Sequence, residues 1–541
     1  MADIVIINPR FEISFWGLEH CMPLFGKRAN LPVANLALLA ALVPDRHKVT
    51  LIDENVENID FERVVRADLV CLTGMNIQGN RLIEILQKVK SHGVMTVVGG
   101  PMATVEPESL DGLADVIFVG EADETWPQFL VDWERGCHKS RYEQHEKTDL
   151  TRLPLPRIDL LKVDRYMFGS LQISRGCPFT CEFCDIIVTF GRRPRLKTSD
   201  QVLAELEAFQ RAGFRILFVV DDNLIGNKKA IKPILRDIVR WQQERAYPLT
   251  LFTEASLDLA EDEELMELMG LANFQNVFIG IETPNEDALK ETKKYQNVRP
   301  KAGTLLERVH RVQRHGIDVW CGMIVGFDHD DSSIFEVMPN FLAETRISAA
   351  IISMLHAIPT TPLYDRLKVE NRLNDQDASD RYGTNVIPLG MSREELRDGF
   401  VHVMQACYSA DAYFQRLDAQ FFDEGFTFAV HHLAYWKTHR WAWAKRCFLN
   451  YCRFLVLALR LLRSVGDGEL RSRYRRQLVL VLRTRWREPH ILFIYAIKIA
   501  MHNHYAALTR ALAQVESGSP NAGRSFSRVR RRHVPGSAAA A

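Results

Sequence analysis

Three cysteines fall within eight positions of the segment SRGCPFTCEFCDI, residues 174–186. Cys177, Cys181 and Cys184 have the spacing CxxxCxxC, and no fourth cysteine lies nearby in the sequence. Three thiolates on one short loop can hold three irons of a [4Fe-4S] cube and leave the fourth iron open for another ligand. Structural zinc sites are usually closed by four ligands in two separated pairs, which this spacing does not provide. Clustered free thiols, or a zinc site completed by a distant residue, are the alternatives.

The whole chain has the composition of a globular protein. It has 541 residues, 47% hydrophobic and 25% charged, which is enough for several domains. We find no signal peptide and no stretch with the roughly 18 uncharged apolar residues of a spanning helix, so we expect a cytoplasmic protein. The ten cysteines then favour metal or redox chemistry and buried thiols over disulfides. A formal net charge of zero argues against attraction of the whole molecule to nucleic acid.

Short apolar runs alternate with helix-like segments over residues 1–137. The runs cover residues 3–8, 49–53, 68–73, 94–98 and 115–119. Such alternation predicts an α/β domain with a parallel, doubly wound, Rossmann-like sheet. Glycines follow several strands, at the carboxyl edge where open α/β sheets bind ligands. Residues 138–165 are polar, contain LPLPR, and are predicted to be a linker.

A second alternation of strands and helices covers residues 166–390. Its candidate strands are 171–174, 215–220, 249–254, 276–281, 318–325 and 350–356. Helices are predicted between them, for example over residues 200–212 and 261–271. Six such units predict a partial (β/α)6 barrel that is open on one side, where a large substrate could enter.

The last part of the chain is predicted to be helical. Residues 391–515 form the predicted helical domain, which is rich in aromatic residues and arginine. Within residues 431–500, fifteen Lys or Arg stand against three Asp or Glu, interleaved with apolar stretches such as ILFIYAIKIAM. Residues 516–541 are rich in Ser, Gly, Arg and Ala and are predicted to be disordered.

The cysteine motif resembles the signature of the radical S-adenosylmethionine (SAM) enzymes, because it has Phe183 before its last cysteine and lies at the first strand of a six-unit barrel. The resemblance implies that Cys177, Cys181 and Cys184 ligate a [4Fe-4S] cluster. It also implies that the open iron binds the amino and carboxylate groups of SAM. An electron from the cluster then splits SAM into methionine and a 5′-deoxyadenosyl radical.

Later strands carry residues that fit the same resemblance. Carboxylates and glycines occupy or end these strands, where the family binds SAM: Asp221, Asp222, Glu254, Gly280, Glu282, Gly322 and Gly326. The resemblance implies that Asp221 and Asp222 lie near the SAM amino group, and Gly322 and Gly326 near its adenosine. A carboxylate after a strand is also a common helix N-cap, and a glycine can simply ease a bend, so a structural role is the alternative.

Residues 1–137 resemble the cobalamin-binding domain that is fused to many radical SAM enzymes, on the segments LIDENVE, VVGGPMATVEPE and IFVGEADETW. The resemblance implies that glycine turns let the backbone approach the corrin, with these candidates: Gly74, Gly99, Gly100 and Gly120. The loop after the first strand lacks the DxHxxG motif that supplies a cobalt ligand in the cobalamin mutases. His20 is a weaker candidate for that role, and a Rossmann-like scaffold without cofactor is the alternative.

The segments RGCPFTCEFCDIIVTFGRRPRLKTSDQ and GIETPNEDALKETKKYQN resemble the subfamily of radical SAM methylases that contains hopanoid C-2 methylase, and the resemblance covers about residues 1–420. It implies a cobalamin-dependent methyltransferase that acts on an unactivated sp3 carbon of a polycyclic lipid, C-2 of a hopanoid. Such a carbon has no acidic proton, so a radical must remove a hydrogen before cobalamin supplies the methyl group. A flavodoxin or ferredoxin is the expected electron donor. The alternatives are another radical reaction, such as oxidation or ring closure, and a non-catalytic iron-sulfur redox sensor.

The basic C-terminal helices indicate which partners the chain could contact. A basic amphipathic helix with Trp, Phe and Leu can lie on an anionic bilayer, which predicts peripheral contact with the inner face of the membrane and suits a lipid substrate. A bundle packed on the barrel, with solvated arginines, is an equal alternative. No recognised binding module accompanies the charge, so we expect no nucleic-acid partner.

Three further cysteines raise one other class of enzyme. The tRNA methylthiotransferases hold a second cluster on three N-terminal cysteines, and this chain has Cys21, Cys71 and Cys137 in that region. Their spacing is different, and Cys71 lies in the middle of a predicted strand, where it should point into the fold. The sequence therefore disfavours that class.

Overall fold

The computed structural model describes residues 1–299, 302–374, 383–428 and 430–516. They form two parallel sheets and a helical region that packs against the second sheet. The tail predicted for residues 516–541 lies outside the described residues from residue 517 on. In the described ranges, no helix is both long and apolar enough to cross a membrane.

The first sheet is built from strands β1 (Asp3–Asn8), β2 (Lys48–Asp53), β3 (Leu69–Thr73), β4 (Met95–Gly99), β5 (Val116–Val119) and β6 (Arg141–Glu143). The strands are parallel and lie in the order β2-β1-β3-β4-β5-β6. Its helices are α1 (Ala34–Ala41), α2 (Phe61–Val64), α3 (Gly79–Lys90), α4 (Pro101–Val105) and α5 (Thr125–Glu134). One core contains α3 residues and a separate core contains those of α1 and α5, so both faces are covered. The predicted doubly wound α/β domain is confirmed.

Strand β6 differs from the prediction, because it lies in the segment predicted to be a linker. Tyr142 is its one buried residue, and the Tyr142 ring stacks on Phe118 with centroids 5.3 Å apart. Arg141 and Glu143 on either side are charged, so three residues give no alternation from which a strand could be predicted. The strand closes the edge of the sheet and carries the chain toward the second sheet.

The second sheet has six parallel strands in sequential order, with its first and last strands at the two edges. They are β7 (Gly169–Leu171), β10 (Ile216–Val219), β11 (Thr250–Glu254), β12 (Phe274–Glu282), β13 (Asp318–Val325) and β14 (Ala350–Met354). The short strands β8 (Ser174–Arg175) and β9 (Arg195–Leu196) form an antiparallel pair. The helices of this second domain are α6 (Ile186–Thr189), α7 (Ser199–Ala212), α8 (Lys228–Glu244), α9 (Glu263–Leu271), α10 (Glu286–Glu291), α11 (Leu305–Arg314), α12 (Ile334–Thr345) and α13 (Pro362–Val369). This is the predicted open partial barrel.

The helical region contains α14 (Arg393–Tyr408), α15 (Ala410–Asp418), α16 (Leu433–Thr438), α17 (Arg440–Ser464), α18 (Gly468–Thr484) and α19 (Pro489–Glu516). Shorter helical turns cover Met22–Phe25, Asn76–Gln78, Pro107–Leu110, Leu150–Arg152, Ile158–Leu160, Val163–Arg165, Leu257–Glu261, Ala419–Asp423 and Val430–His432. Helix α19 joins this region to the barrel, since the buried Lys498 ammonium lies 2.5 Å from the Asp318 carboxylate of β13. The region therefore packs against the barrel.

Candidate active site where the two sheets meet

The cysteine loop lies between β8 and β9, beyond the carboxyl end of β7. Its first residue, Gly176, has a φ of 95°, and a Cβ there would lie 2.9 Å from the carbonyl oxygen of Gly191. The Cys177 amide donates to that same oxygen at 3.2 Å. The loop therefore closes on itself, and glycine is required where its two ends pass each other.

The three thiols are free, with Cys181 buried and Cys177 and Cys184 half-buried. The Asn223 amide nitrogen lies 3.8 Å from the Cys177 sulfur, and the Gln296 amide nitrogen 3.3 Å from the Cys181 sulfur. Burial raises the pKa of the Cys184 thiol to about 12, so bound metal must displace its proton. Asn223 and Gln296 would stabilise the resulting charge on sulfur, and neither was identified from the sequence.

The donor set fits an iron-sulfur cube. Within the described parts of the chain, no three His, Cys, Asp or Glu side chains are grouped to hold a single metal ion. A cube does not need such a group, because each cysteine binds a different iron. Of the other three cysteines considered for a second cluster, Cys137 is exposed, while Cys21 and Cys71 are buried.

Asp221 and Asp222 hold the chain that leads into the cysteine loop. The Asp221 carboxylate accepts from the amides of Ile173 and Ser174 at 2.7 and 2.8 Å, and Asp222 accepts from the Gly176 amide at 2.7 Å. These bonds replace strand pairing, which is why β7 ends at Leu171 and not at residue 174 as predicted. Contact of either carboxylate with SAM stays a prediction.

Carboxylates outnumber cations at this end of the barrel. Burial, together with neighbouring Asp222, Asp221 and Glu282, raises the pKa of Glu254 to about 8. Burial also raises the pKa of Asp221 to about 7 and of Asp222 to about 6. A ligand that carries an ammonium and a sulfonium, as SAM does, would favour the ionised form of these carboxyl groups and lower their pKa values. The residues therefore fit SAM.

Lys294 supplies a buried cation beside the cysteines. Its ammonium lies 2.6 Å from the Glu282 carboxylate and 5.7 Å from the centroid of the Phe183 ring. Burial alone would lower the pKa of Lys294, but Glu282 and the Cys181 and Cys184 thiols outweigh it and raise the pKa. Lys294 was not selected from the sequence, because KETKKYQN has the composition of an ordinary charged surface segment.

The glycines of the barrel strands have distinct surroundings. Gly280 and Gly322 are paired across β12 and β13, and a Cβ at Gly280 would lie 2.8 Å from the Lys294 ammonium. Gly280 thus leaves room for the ion pair of Lys294 and Glu282. Gly326 has a φ of 98° and a Cβ there would lie 2.8 Å from Leu396, so it permits a tight turn against α14. Contact of Gly322 or Gly326 with adenosine stays a prediction.

The candidate cobalamin glycines lie at the carboxyl edge of the first sheet. Gly100 and Gly120 have φ values of 95° and 96°, and a Cβ at Gly120 would lie 2.8 Å from the Gln144 carbonyl oxygen. Contacts within the chain therefore also require glycine at these two positions. Gly99 is the last residue of β4. Next to Gly74, the apolar side chains of Met75 and Ile77 are exposed. A corrin would cover such a surface, so this edge fits cobalamin.

His20, the candidate cobalt ligand, lies elsewhere. Its ring is 5.3 Å from the ring of His504 on α19, and the His20 amide donates to the His504 ring nitrogen at 3.2 Å. The structure therefore brings His20 to the helical region.

The carboxyl ends of the two sheets face each other across ion pairs. Glu121, after β5, lies 2.9 Å from the Arg175 guanidinium and 2.7 Å from that of Arg195. Burial alone would raise the pKa of Glu121, but the two arginines lower it. Since Arg175 and Arg195 flank the cysteine loop, the edge of the first sheet is fixed beside that loop.

An aromatic layer fills the barrel below the carboxylates. The rings of Phe218 and Phe252 stack with centroids 4.6 Å apart. Trp16, from the loop after β1, inserts between Phe218 and Phe278 at 5.6 and 5.4 Å. Glu254 lies two residues beyond Phe252 and so on the same face of β11. The layer separates the carboxylates from the opposite end of the barrel.

A cavity of about 1340 Å³ lies at that opposite end, between the barrel, α17, α19 and residues 18–27. Phe252 and Trp320 line it, so it reaches the aromatic layer. Its apolar lining includes Leu18, Met22, Phe25, Val456, Leu457, Phe493, Ile494, Ile497 and Met501. The cavity was not predicted, since it is formed by segments far apart in the sequence.

Comparisons with known proteins identify the two sheet domains. Residues 28–130 match the B12 binding domain, residues 171–338 the radical SAM superfamily, and residues 361–517 a domain of unknown function. An uncharacterized methyltransferase of Synechocystis is 38% identical over 416 residues, which are 76% of this chain and 77% of that protein. Hopanoid C-2 methylase of Rhodopseudomonas palustris is 33% identical over 423 residues, which are 77% of this chain and 79% of that protein.

A solved structure has the same fold. The cobalamin-dependent SAM radical enzyme OxsB, with aqua-cobalamin and SAM bound, aligns with a TM-score of 0.60 at 15% identity, over 97% of this chain and 81% of its own. The chain therefore belongs to the radical SAM methyltransferases that carry a B12-binding domain, enzymes whose cofactors are a [4Fe-4S] cluster, SAM and cobalamin.

Proposed function

We propose that this methyltransferase methylates a saturated carbon of a polycyclic lipid, C-2 of a hopanoid. The observation that carries the proposal is the apolar cavity of about 1340 Å³ below the aromatic layer. Ligand cavities usually measure about 300–1,000 Å³, so this one suits a large, rigid, apolar molecule. The 33% identity to hopanoid C-2 methylase supports the same substrate.

The charges at the inner end of the cavity agree with a neutral lipid. The Lys498 ammonium, at its inner end, already contacts the Asp318 carboxylate at 2.5 Å and the Ser348 hydroxyl at 2.8 Å. The Asp318 carboxylate also accepts from the Trp320 indole at 2.9 Å. Because these charges are satisfied within the protein, the inner end makes no demand for a charged ligand.

The cofactors supply the reactive chemistry when bound: SAM, reduced through the cluster, gives a radical that removes hydrogen, and cobalamin gives a methyl group. The chain holds and orients them. Cys177, Cys181 and Cys184 would hold the cluster, and the carboxylates near Glu254 would orient the cationic groups of SAM. The aromatic layer would exclude water from the carboxylates and position the substrate ring from below. In this proposal a flavodoxin or ferredoxin delivers the electron, and no nucleic acid takes part.

Expression in a hopanoid-producing host that lacks its own methylase tests the proposal. We expect mass spectrometry of the lipids to show hopanoids methylated at C-2 with the wild-type chain and none with Cys181→Ala. If the cells contain the protein with its iron bound and their hopanoids are unchanged, the proposed substrate is wrong. A dehydrogenated or cyclised lipid would instead indicate another radical reaction on the same architecture.

A further inference from the structure

Helix α17 exposes an apolar stripe. Of its 25 residues, four are buried, namely Asn450, Phe454, Leu457 and Leu461. On another side of the helix, Trp441 is 91% and Phe448 67% exposed, and Leu455 and Leu459 are each more than half exposed. Their spacing of seven, seven and four residues places these four side chains on one face. We call Trp441, Phe448, Leu455 and Leu459 the α17 stripe.

The surroundings of the α17 stripe are basic. Helix α17 contains no Asp or Glu, and it exposes Arg440, Lys445, Arg453, Arg460 and Arg463. Helix α18 extends the apolar surface with Leu480, Leu482 and, just beyond its end, Trp486, all exposed. The Tyr451 hydroxyl of α17 donates to the Trp486 carbonyl oxygen, which fixes the two helices together there. Exposed apolar side chains among cations are typical of helices that lie in the interface of an anionic membrane.

The α17 stripe adjoins the mouth of the cavity. Leu449 and Val456 line the cavity and are also 40% and 48% exposed to solvent. Leu449 follows Phe448 and Val456 follows Leu455, so the rim of the cavity and the stripe are neighbouring faces of the same helix. Lys445, Arg453 and Arg460 stand at this rim as well.

We propose that the α17 stripe docks on an anionic lipid bilayer and that the lipid substrate passes from the bilayer into the cavity over Leu449 and Val456. The inference rests on the proposed function, since it names the surface through which that substrate arrives. Passage over an apolar rim spares the lipid from crossing water. The basic residues would bind anionic headgroups while the stripe enters the acyl boundary.

The charge of α17 favours a bilayer over a second copy of the chain. Two copies paired through the α17 stripe would bring two acid-free basic helices together, and like charges repel. Residues 517–541 cannot neutralise the helix either, because they contain arginine and no Asp or Glu. An anionic surface satisfies both the apolar and the basic side chains.

Vesicle co-sedimentation of the full reconstituted chain, without substrate, tests docking. We expect binding to vesicles of phosphatidylcholine and phosphatidylglycerol in equal parts, weak binding to phosphatidylcholine alone, and release by salt. The double variant Phe448→Glu/Leu455→Glu should bind at least about tenfold more weakly, because charge on the stripe opposes insertion. Val369→Glu is the matched control, since Val369 is 84% exposed on α13 of the barrel, and it should bind like wild type.

A second readout separates docking from substrate choice. The double variant should methylate a hopanoid dispersed in detergent as wild type does, and should be slow on hopanoid presented in vesicles. Equal vesicle binding by wild type and double variant would overturn docking, as would a wild-type dimer that the double variant converts to a monomer. If wild type binds vesicles but methylates hopanoid in neither presentation, the docking inference stands and the proposed substrate fails.

Discussion

Lys294 and Glu282 form a buried ion pair at the carboxyl end of the barrel, with 2.6 Å between the ammonium and the carboxylate. The pair occupies the space that Gly280 leaves open, and its cation faces the cysteines that would hold the cluster. Lys294 is thus a positive charge beside a set of ligands that become negative when metal binds. We infer that it positions both the carboxylate and the cluster.

Replacement of Lys294 tests this role. Lys294→Met leaves the Glu282 charge unpaired, and breaking a buried pair costs about 3–5 kcal/mol. We expect less iron per chain after reconstitution and a fall of about tenfold or more in 5′-deoxyadenosine formation. Lys293→Met is the matched control, because Lys293 is the exposed neighbour. Equal losses in both variants would contradict a specific role for Lys294.

Glu254 should make stability depend on pH. The folded protein raises its pKa from 4.5 to about 8, so between these values the folded state binds more protons than the unfolded state. The free energy of unfolding therefore falls as pH rises through this window, by about 5 kcal/mol from this group. Urea unfolding of the cluster-free Glu254→Gln variant should show a smaller fall than wild type. An identical pH profile would show that Glu254 ionises normally.

Asp221 should stabilise the entry to the cysteine loop. Asp221→Ala leaves the buried amides of Ile173 and Ser174 without acceptors, which costs about 1–3 kcal/mol for each group. We expect lower stability toward urea and incomplete incorporation of iron. Full iron content with wild-type stability would contradict the anchoring role.

Trp16 should couple radical formation to methylation. Trp16→Ala opens the aromatic layer between Phe218 and Phe278, so water reaches the carboxylates and the substrate ring loses its position. The ratio of 5′-deoxyadenosine to methylated product should rise by about tenfold. Trp16→Phe should keep most of the coupling, since an aromatic ring still fills the layer. If both variants couple as tightly as wild type, the layer has no such role.

A larger side chain in the cavity lining should weaken binding of the lipid substrate. Ile497→Trp fills space in the lining without overpacking a closed core, so we expect KM for the lipid to rise by about tenfold. Val337→Trp, at an exposed position on α12, is the control. An unchanged KM for Ile497→Trp would place the lipid elsewhere.

The sequence predicted the elements with strong periodicity. The doubly wound sheet, the six barrel strands and the cysteine loop follow from alternation and spacing, which are local properties of the chain. Strand β6 escaped prediction because Tyr142 alone carries its apolar signal. The first barrel strand ends early because the Asp221 carboxylate, from 47 to 48 residues away, takes the amides that would have continued it.

The candidate ligands of the site could be named from the sequence, and their surroundings could not. Cys177, Cys181 and Cys184 carry a motif, whereas Lys294, Gln296 and Trp16 reach the site only through tertiary packing. Gly100 and Gly120 were identified by position, and the structure adds a second reason for them in their contacts with the chain itself. The cavity depends on α17, α19 and residues 18–27 meeting at the barrel, which no local pattern encodes.

The most direct measurement follows the hydrogen and the methyl group in one anaerobic reaction. The reconstituted protein is incubated with reductant, methyl-deuterated SAM and a hopanoid deuterated at C-2. We predict a hopanoid that gains one deuterated methyl group and a 5′-deoxyadenosine that gains deuterium from C-2. Deoxyadenosine without deuterium, together with an unmethylated hopanoid, would contradict radical methylation of this lipid.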